Sequence, residues 1–184
     1  AERANLLTDM SRFEEAAVGL EAALVECTKN LGESHPETAD VLNSRARLLA
    51  QLGSYDAALE AQRRALEVDE RVFGRVSAAC ARDLSNLGFL FTQLARLSEA
   101  RASLEESLAL RAKLGGNQKL KWAHTTSNVA DVDVLEGKLA DAETRFGEAM
   151  AALRDVSAEH PHIAVVLGKV GEVQYERGEL QRAA

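Results

Sequence analysis

The chain has 184 residues, 46% apolar and only 4% aromatic, with two prolines and many Ala, Leu, Glu and Arg, so an all-α protein is expected. Its 22 basic residues against 29 acidic ones leave a net charge of -7, which repels a phosphate backbone and argues against nucleic acid as a partner. No apolar run approaches the roughly 20 residues that span a bilayer, and the two cysteines, Cys27 and Cys80, are too few and too far apart for a disulfide framework or metal-ligand spacing, so a cytoplasmic, membrane-free setting is expected.

In chain order, the first punctuation is Ser11-Arg12-Phe13, a small, a polar and a large apolar residue. The same kind of triplet returns at Gly53-Ser54-Tyr55, Ala95-Arg96-Leu97, Gly137-Lys138-Leu139 and Gly178-Glu179-Leu180, at spacings of 42, 42, 42 and 41 residues. A fixed period of this length is the mark of a repeat architecture. It divides the chain into a partial unit 1–34, full units 35–76, 77–118 and 119–159, and a partial unit 160–184. The whole reads as one array belonging to a longer protein. Helix breaks are expected near residues 10–12, 32–35, 52–54, 74–77, 94–96, 115–119, 136–138 and 158–161, with no strand.

In the partial first unit, Ala16, Leu20, Ala23 and Leu24 follow the triplet and form an apolar stripe at i, i+4 and i+7. The second unit opens on His35-Pro36, where proline suits the first turn of a helix. Its first helix carries Leu42, Ala46 and Leu49, and its second carries Ala58, Ala65 and Leu66, with Gln62 weakening the stripe. The third unit places Leu84, Gly88 and Phe91 on the first helix and Ala100, Leu104, Ser107 and Leu108 on the second. Gly88 and Gly171 would let a partner helix approach closely, at about 1 kcal/mol of helix propensity each. The fourth unit keeps Ala142, Phe146, Ala149 and Met150 on its second helix. On its first helix, Thr126 and Asp133 replace the leucine and aromatic places, so this hairpin is expected to be the least well packed. The last unit opens on His160-Pro161 and continues with Leu167 and Gly171.

The small-x-aromatic turn followed by alanine resembles the tetratricopeptide signature, and the long period with LGESHPETADVLN resembles its kinesin light chain type. The resemblance spans the chain. It implies a right-handed superhelical solenoid of antiparallel helix hairpins, and a protein-protein interaction scaffold that holds an extended peptide or partner protein in a concave groove lined by first helices.

Catalytic chemistry has little to stand on, and neither an enzyme nor a cofactor is expected. His160-x-His162 could offer two imidazoles to a metal, but His35-Pro36 occupies the same place in an earlier unit, so helix opening is the simpler reading and no metal is expected. Neither cysteine sits beside a recognisable base, and Cys80 reads as apolar filler. Gly115-Gly116 lacks the lysine and hydroxyl of a phosphate loop. Glu14-Glu15, Glu67-Asp69-Glu70 and Glu105-Glu106 read as solvated outer faces.

Stacked hairpins that turn slightly relative to one another place their first helices inside. Nine residues before each turn stand Ser44, Asn86, Asn128 and Lys169, and four further back stand Asp40, Arg82, His124 and Val165. An asparagine amide donates and accepts, so it can pair with a peptide unit of any sequence. The candidate groove residues are Arg47, Gln51, Arg82, Asn86, Phe89, Gln93, His124, Asn128 and Lys169, with Phe89 the apolar anchor. Arg82, Asn86, Asn128 and Lys169 resemble a carboxylate clamp incompletely: Val165 replaces a cation, and Asp131, Glu172 and Glu176 would repel an anion. The asparagines could instead hold neighbouring helices in register, and an exposed Phe89 or exposed repeat ends could serve self-association. A rival reading makes the chain the regulatory or sensor arm of a multidomain enzyme, a protease or kinase whose catalytic domain lies elsewhere; a second makes it a spacer.

Overall fold

The computed structural model describes the backbone of residues 2–116, 118–157 and 159–183, and side chains between 12 and 178 apart from Glu14, Asn117 and Ala158. The described residues form eight α-helices and no strand: α1 (Glu2–Leu31), α2 (Pro36–Gln51), α3 (Tyr55–Phe73), α4 (Ala78–Gln93), α5 (Leu97–Leu114), α6 (Lys119–Leu135), α7 (Leu139–Val156) and α8 (Pro161–Ala183). The chain divides into two compact units, Ala1–Asp83 and Leu84–Ala184.

Three turns share one geometry. Gly53, Ala95 and Gly137 take φ of 73°, 55° and 75°. At each, the next residue's N–H donates to the carbonyl five back: Ser54 to Leu49 at 2.9 Å, Arg96 to Phe91 at 2.9 Å and Lys138 to Asp133 at 2.8 Å. This is the Schellman closure of a helix. Ala95 adopts it despite a Cβ that disfavours positive φ, so the repeat geometry outweighs the local strain.

In the first unit α2 packs on α3 and α1 on α2. The core gathers Leu24, Ala39, Leu42, Ala65 and Val68. The His-Pro reading holds: the Glu37 N–H donates to His35 Nδ1 at 3.3 Å, capping α2 ahead of Pro36. The His162 N–H does the same to His160 Nδ1 at 3.2 Å at the start of α8. Gln62 is buried in the α3 stripe, and its amide donates to Asn43 Oδ1 on α2 at 2.5 Å.

In the second unit α6 packs on α5 and α7, and α8 packs on α7. Phe146, Leu153, Ala123 and Val166 centre the core. A Cβ at Gly88 would lie 2.6 Å from Leu104 Cδ2 and nearer still to its Cγ, so this glycine is what lets α4 and α5 meet.

Several expectations need correction. The break near 10–12 does not occur: α1 is continuous through Ser11-Arg12-Phe13. Likewise α8 is continuous through Gly178-Glu179-Leu180. Leu167 and Gly171, expected on a packed face, are exposed, and a Cβ at Gly171 would meet nothing within 4 Å. α8 instead buries Ile163, Val166 and Val173.

The fourth hairpin is not poorly packed. Asp133 on α6 is 1% exposed and is held by Arg101 of α5 and Arg145 of α7, each at 2.7 Å. A buried carboxylate with two guanidiniums joins three helices where an aromatic residue was expected to do so. Only the Thr126 place fits the expectation, because its buried hydroxyl has no partner. Asp69, read as part of a solvated run, is also buried, and it accepts from Arg82 at 2.8 Å.

Candidate functional site

The residues nine, six and two places before each turn recur on the first helices, one helical turn or so apart, and so share a face. In the second unit these registers hold Asn86, Phe89 and Gln93 on α4, Asn128, Asp131 and Leu135 on α6, and Lys169, Glu172 and Glu176 on α8. All but Asn86 line a single cavity of about 320 Å³. Its floor is apolar, formed by Phe146 of α7 with Val134 and Val173. Phe89 and Leu135 remain 43% and 56% exposed, so two large apolar side chains face solvent at the same place.

The charged groups of the cavity are unevenly paired. Lys169 Nζ bonds both carboxylate oxygens of Asp131, at 2.7 and 2.5 Å, and lies 5.8 Å from the centroid of the Phe146 ring. Burial pushes the Asp131 carboxyl above the ordinary aspartate range, while Lys169 acts in the opposite direction. Glu172 and Glu176, one turn apart on α8, are exposed and have no salt bridge among the described residues.

In the first unit, Arg47 and Gln51 occupy the Phe89 and Gln93 registers on α2. With Ser44 they line a separate cleft of about 610 Å³ against Arg12, Phe13 and Leu20 of α1. Among its described lining residues are two arginines and no acid. Arg82 is not available as a clamp: its guanidinium bonds Asp69 at 2.8 Å, Asp83 at 3.1 Å and Asp40 at 3.2 Å. Asp83 is 0% exposed, with one carboxylate oxygen lacking a partner, and burial together with the nearby Asp69 raises its pKa to about 7 against the pull of Arg82.

His124 does not join the cavity. Its ring stacks on His162, with centroids 4.2 Å apart, and meets His160 edge-on at 5.9 Å. Burial and the neighbouring cations lower its pKa to about 4. Among the described residues no group of three or more His, Cys, Asp and Glu is arranged to hold a metal ion. Val134 and Leu135 went unnoticed as lining residues, yet Leu135 falls 42 residues after Gln93, so the period itself carried the signal. The end helices leave apolar side chains uncovered: Val18 and Val25 on α1, and Val165 and Tyr175 on α8. No helix among the described residues is long and apolar enough to cross a membrane.

Known proteins place this geometry in a family. No curated protein matches the sequence. Among solved structures, BtubC (BKLC) from P. vanneervenii is similar at 28% identity and a TM-score of 0.73, covering 86% of this chain and 63% of that one. The chain thus spans less than two thirds of that relative's length. Two structures of nearly identical, kinesin light chain TPR-like repeats from Podosopora anserina match at 18% identity, with TM-scores of 0.74 and 0.72. They cover 99% of this chain and 86% and 87% of their own, and at that identity they speak for the fold, an all-α solenoid of helix hairpins. Residues 1–71 and 40–113 match the tetratricopeptide repeat, and with its 42-residue period the chain belongs to that family.

Proposed function

We propose that the chain is a protein-binding scaffold that seats an extended peptide against its first helices, with the cavity of the second unit as the principal seat. The fold is one that serves protein-protein interaction. The observation that carries the finer reading is the cavity itself, because three successive first helices contribute to it from the same repeat registers. An extended chain advances about 3.3 Å per residue, so side chains repeated from helix to helix can meet it at intervals. Phe89 and Leu135 supply apolar area that water would gain by giving up, and Asn128 supplies a donor and an acceptor for a peptide unit.

A clamp for a terminal carboxylate is not the reading we favour, since Arg82 and Lys169 are already bonded to acids within their own units. A binding role also suits the cavity better than catalysis, for which no activated nucleophile or base is on hand among its lining residues. The free thiols Cys27 and Cys80 suit a reducing, cytoplasmic setting. An array serving as the regulatory arm of a protease or kinase would use the same surface.

The test starts with a peptide-library selection on the purified chain, followed by fluorescence anisotropy and thermal melts. Asn128→Ala, which leaves a peptide group unpaired, should weaken the selected peptide by about 1–3 kcal/mol. Phe89→Ala should weaken it as well, and neither should move the melting curve. Glu105→Ala on α5 should change neither quantity. Wild-type affinity in both site variants, or losses of affinity that track losses of stability, would leave Asn128 a register-holding residue and the groove reading without support.

A further inference from the structure

We infer that the cavity of the second unit selects a segment carrying a lysine or arginine next to an apolar residue, not an acidic one. The inference rests on the groove reading above and names its partner's chemistry. Among the described residues lining the cavity three are acidic, Asp131, Glu172 and Glu176, and one is basic, Lys169, which is bonded to Asp131. That pair is electrically closed, which leaves two carboxylates at the mouth.

Glu172 and Glu176 stand four apart on α8, a spacing at which like charges repel across one helical turn. A cation between them relieves that repulsion and gains two attractions at once. The same cavity has an apolar part. Phe89 on α4 and Leu135 on α6 are exposed, and they can cover the aliphatic stem of a lysine or arginine as well as the apolar residue beside it. A volume of about 320 Å³ accommodates side chains, not a folded surface.

An acidic segment meets the opposite field. It would add a negative group beside two unpaired carboxylates, and could reach Lys169 only by displacing Asp131, whose carboxylate would then be left partly buried without its cation. The cleft of the first unit has the reverse character among its described lining residues, with Arg12 and Arg47 and no acid, so the negative field is a feature of the second unit's cavity.

Two fluorescein-labelled hexapeptides make the probe: Gly-Leu-Lys-Leu-Lys-Gly, and the same peptide with glutamine in place of lysine. Anisotropy at low ionic strength should show the lysine peptide binding about tenfold tighter, as two partly exposed ion pairs would give, and added salt should shrink the difference. The Glu172→Gln/Glu176→Gln double variant should bind both peptides alike, at the affinity of the glutamine peptide for the wild type. Phe89→Ala should weaken both peptides. Melts of each variant check that folding is unchanged. If the two peptides bind wild type equally and both depend on Phe89, the charge inference falls and the groove reading stands. If neither binds, or binding ignores Phe89 and both glutamates, both fall.

Discussion

The two units balance charge in opposite ways, inside and out. Within the first, three aspartates share one guanidinium, that of Arg82; within the second, one aspartate, Asp133, is shared by the guanidiniums of Arg101 and Arg145. At the surface the order reverses, with arginines in the α1–α2 cleft and glutamates at the mouth of the α8 cavity. A buried carboxylate is tolerated only with cations and hydrogen bonds to replace water. Where a buried carboxylate meets two guanidiniums it fastens helices together. Where carboxylates are in surplus one of them holds its proton to unusually high pH, as Asp83 does. The lesson is that a charged residue at a core register is neither a defect nor a site until its partners on neighbouring helices are known.

The largest effect should come from removing the shared acid. Asp133→Ala removes the acid that Arg101 and Arg145 share and leaves Arg101 with Glu136 and Glu105, and urea denaturation should show a loss of about 2–3 kcal/mol. A loss below ~1 kcal/mol would mean that the arginines relax into solvent, and the contrast between the units would collapse.

The next effect is one of pH. Asp83 has a folded pKa of about 7 against 3.8 for a free aspartate. The stability it contributes is therefore fully present below about pH 4 and is lost as pH rises through 7. Hydrogen exchange of α2 and α3 amides should report a first unit less protected at pH 8 than at pH 5. Asp83→Asn should flatten that slope and raise protection at pH 8 by about 1–2 kcal/mol. An unchanged slope in the variant would contradict the account of the Arg82 cluster.

Smaller, and of opposite sign, is the response of His124. Its folded pKa of about 4 lies below the free value of 6.5. The stability it contributes is present above 6.5 and is lost as pH falls towards 4. Between pH 7 and 5 the α6 and α7 amides should lose protection, and His124→Gln should reduce that loss by about 1 kcal/mol. Identical acid sensitivity with and without the imidazole would show that the stack of His124 on His162 has no part in it.

How far these features could be read from the sequence depended on how local their causes are. The 42-residue period was plain because every hairpin needs the same turn, and the turns at 53, 95 and 137 share one hydrogen-bond pattern. The failures lie at 10–12 and 178–180, where the same triplet stays helical. A turn of that kind depends on packing across the hairpin, which a three-residue pattern does not encode. Asp133 was placed at a core register correctly, but Arg101 and Arg145, 32 and 12 residues away, were not connected to it. Asp69 was misplaced altogether because it sits between two exposed glutamates.

The candidate site was legible in part for the same reason. Asn128 and Lys169 follow from counting back from each turn, Phe89 and Gln93 share the same inner face, and the cavity gathers all four. Counting gave position along a helix and not pairing, so it left Lys169 and Arg82 looking like open cations, when each is bonded to an acid of its own unit. His124 shared the register of Arg82 yet went to the histidine cluster, since two further imidazoles stand at the start of α8.

The most direct test of the proposed seat is a titration of the isotope-labelled chain with the peptide Gly-Leu-Lys-Leu-Lys-Gly, followed by backbone amide NMR. The account predicts shifts concentrated at Phe89, Asn128, Leu135 and residues 169–176, with the amides of Arg47 and Gln51 unmoved. Shifts centred instead on the α1–α2 cleft, or on the outward faces of α5 and α7, would contradict it.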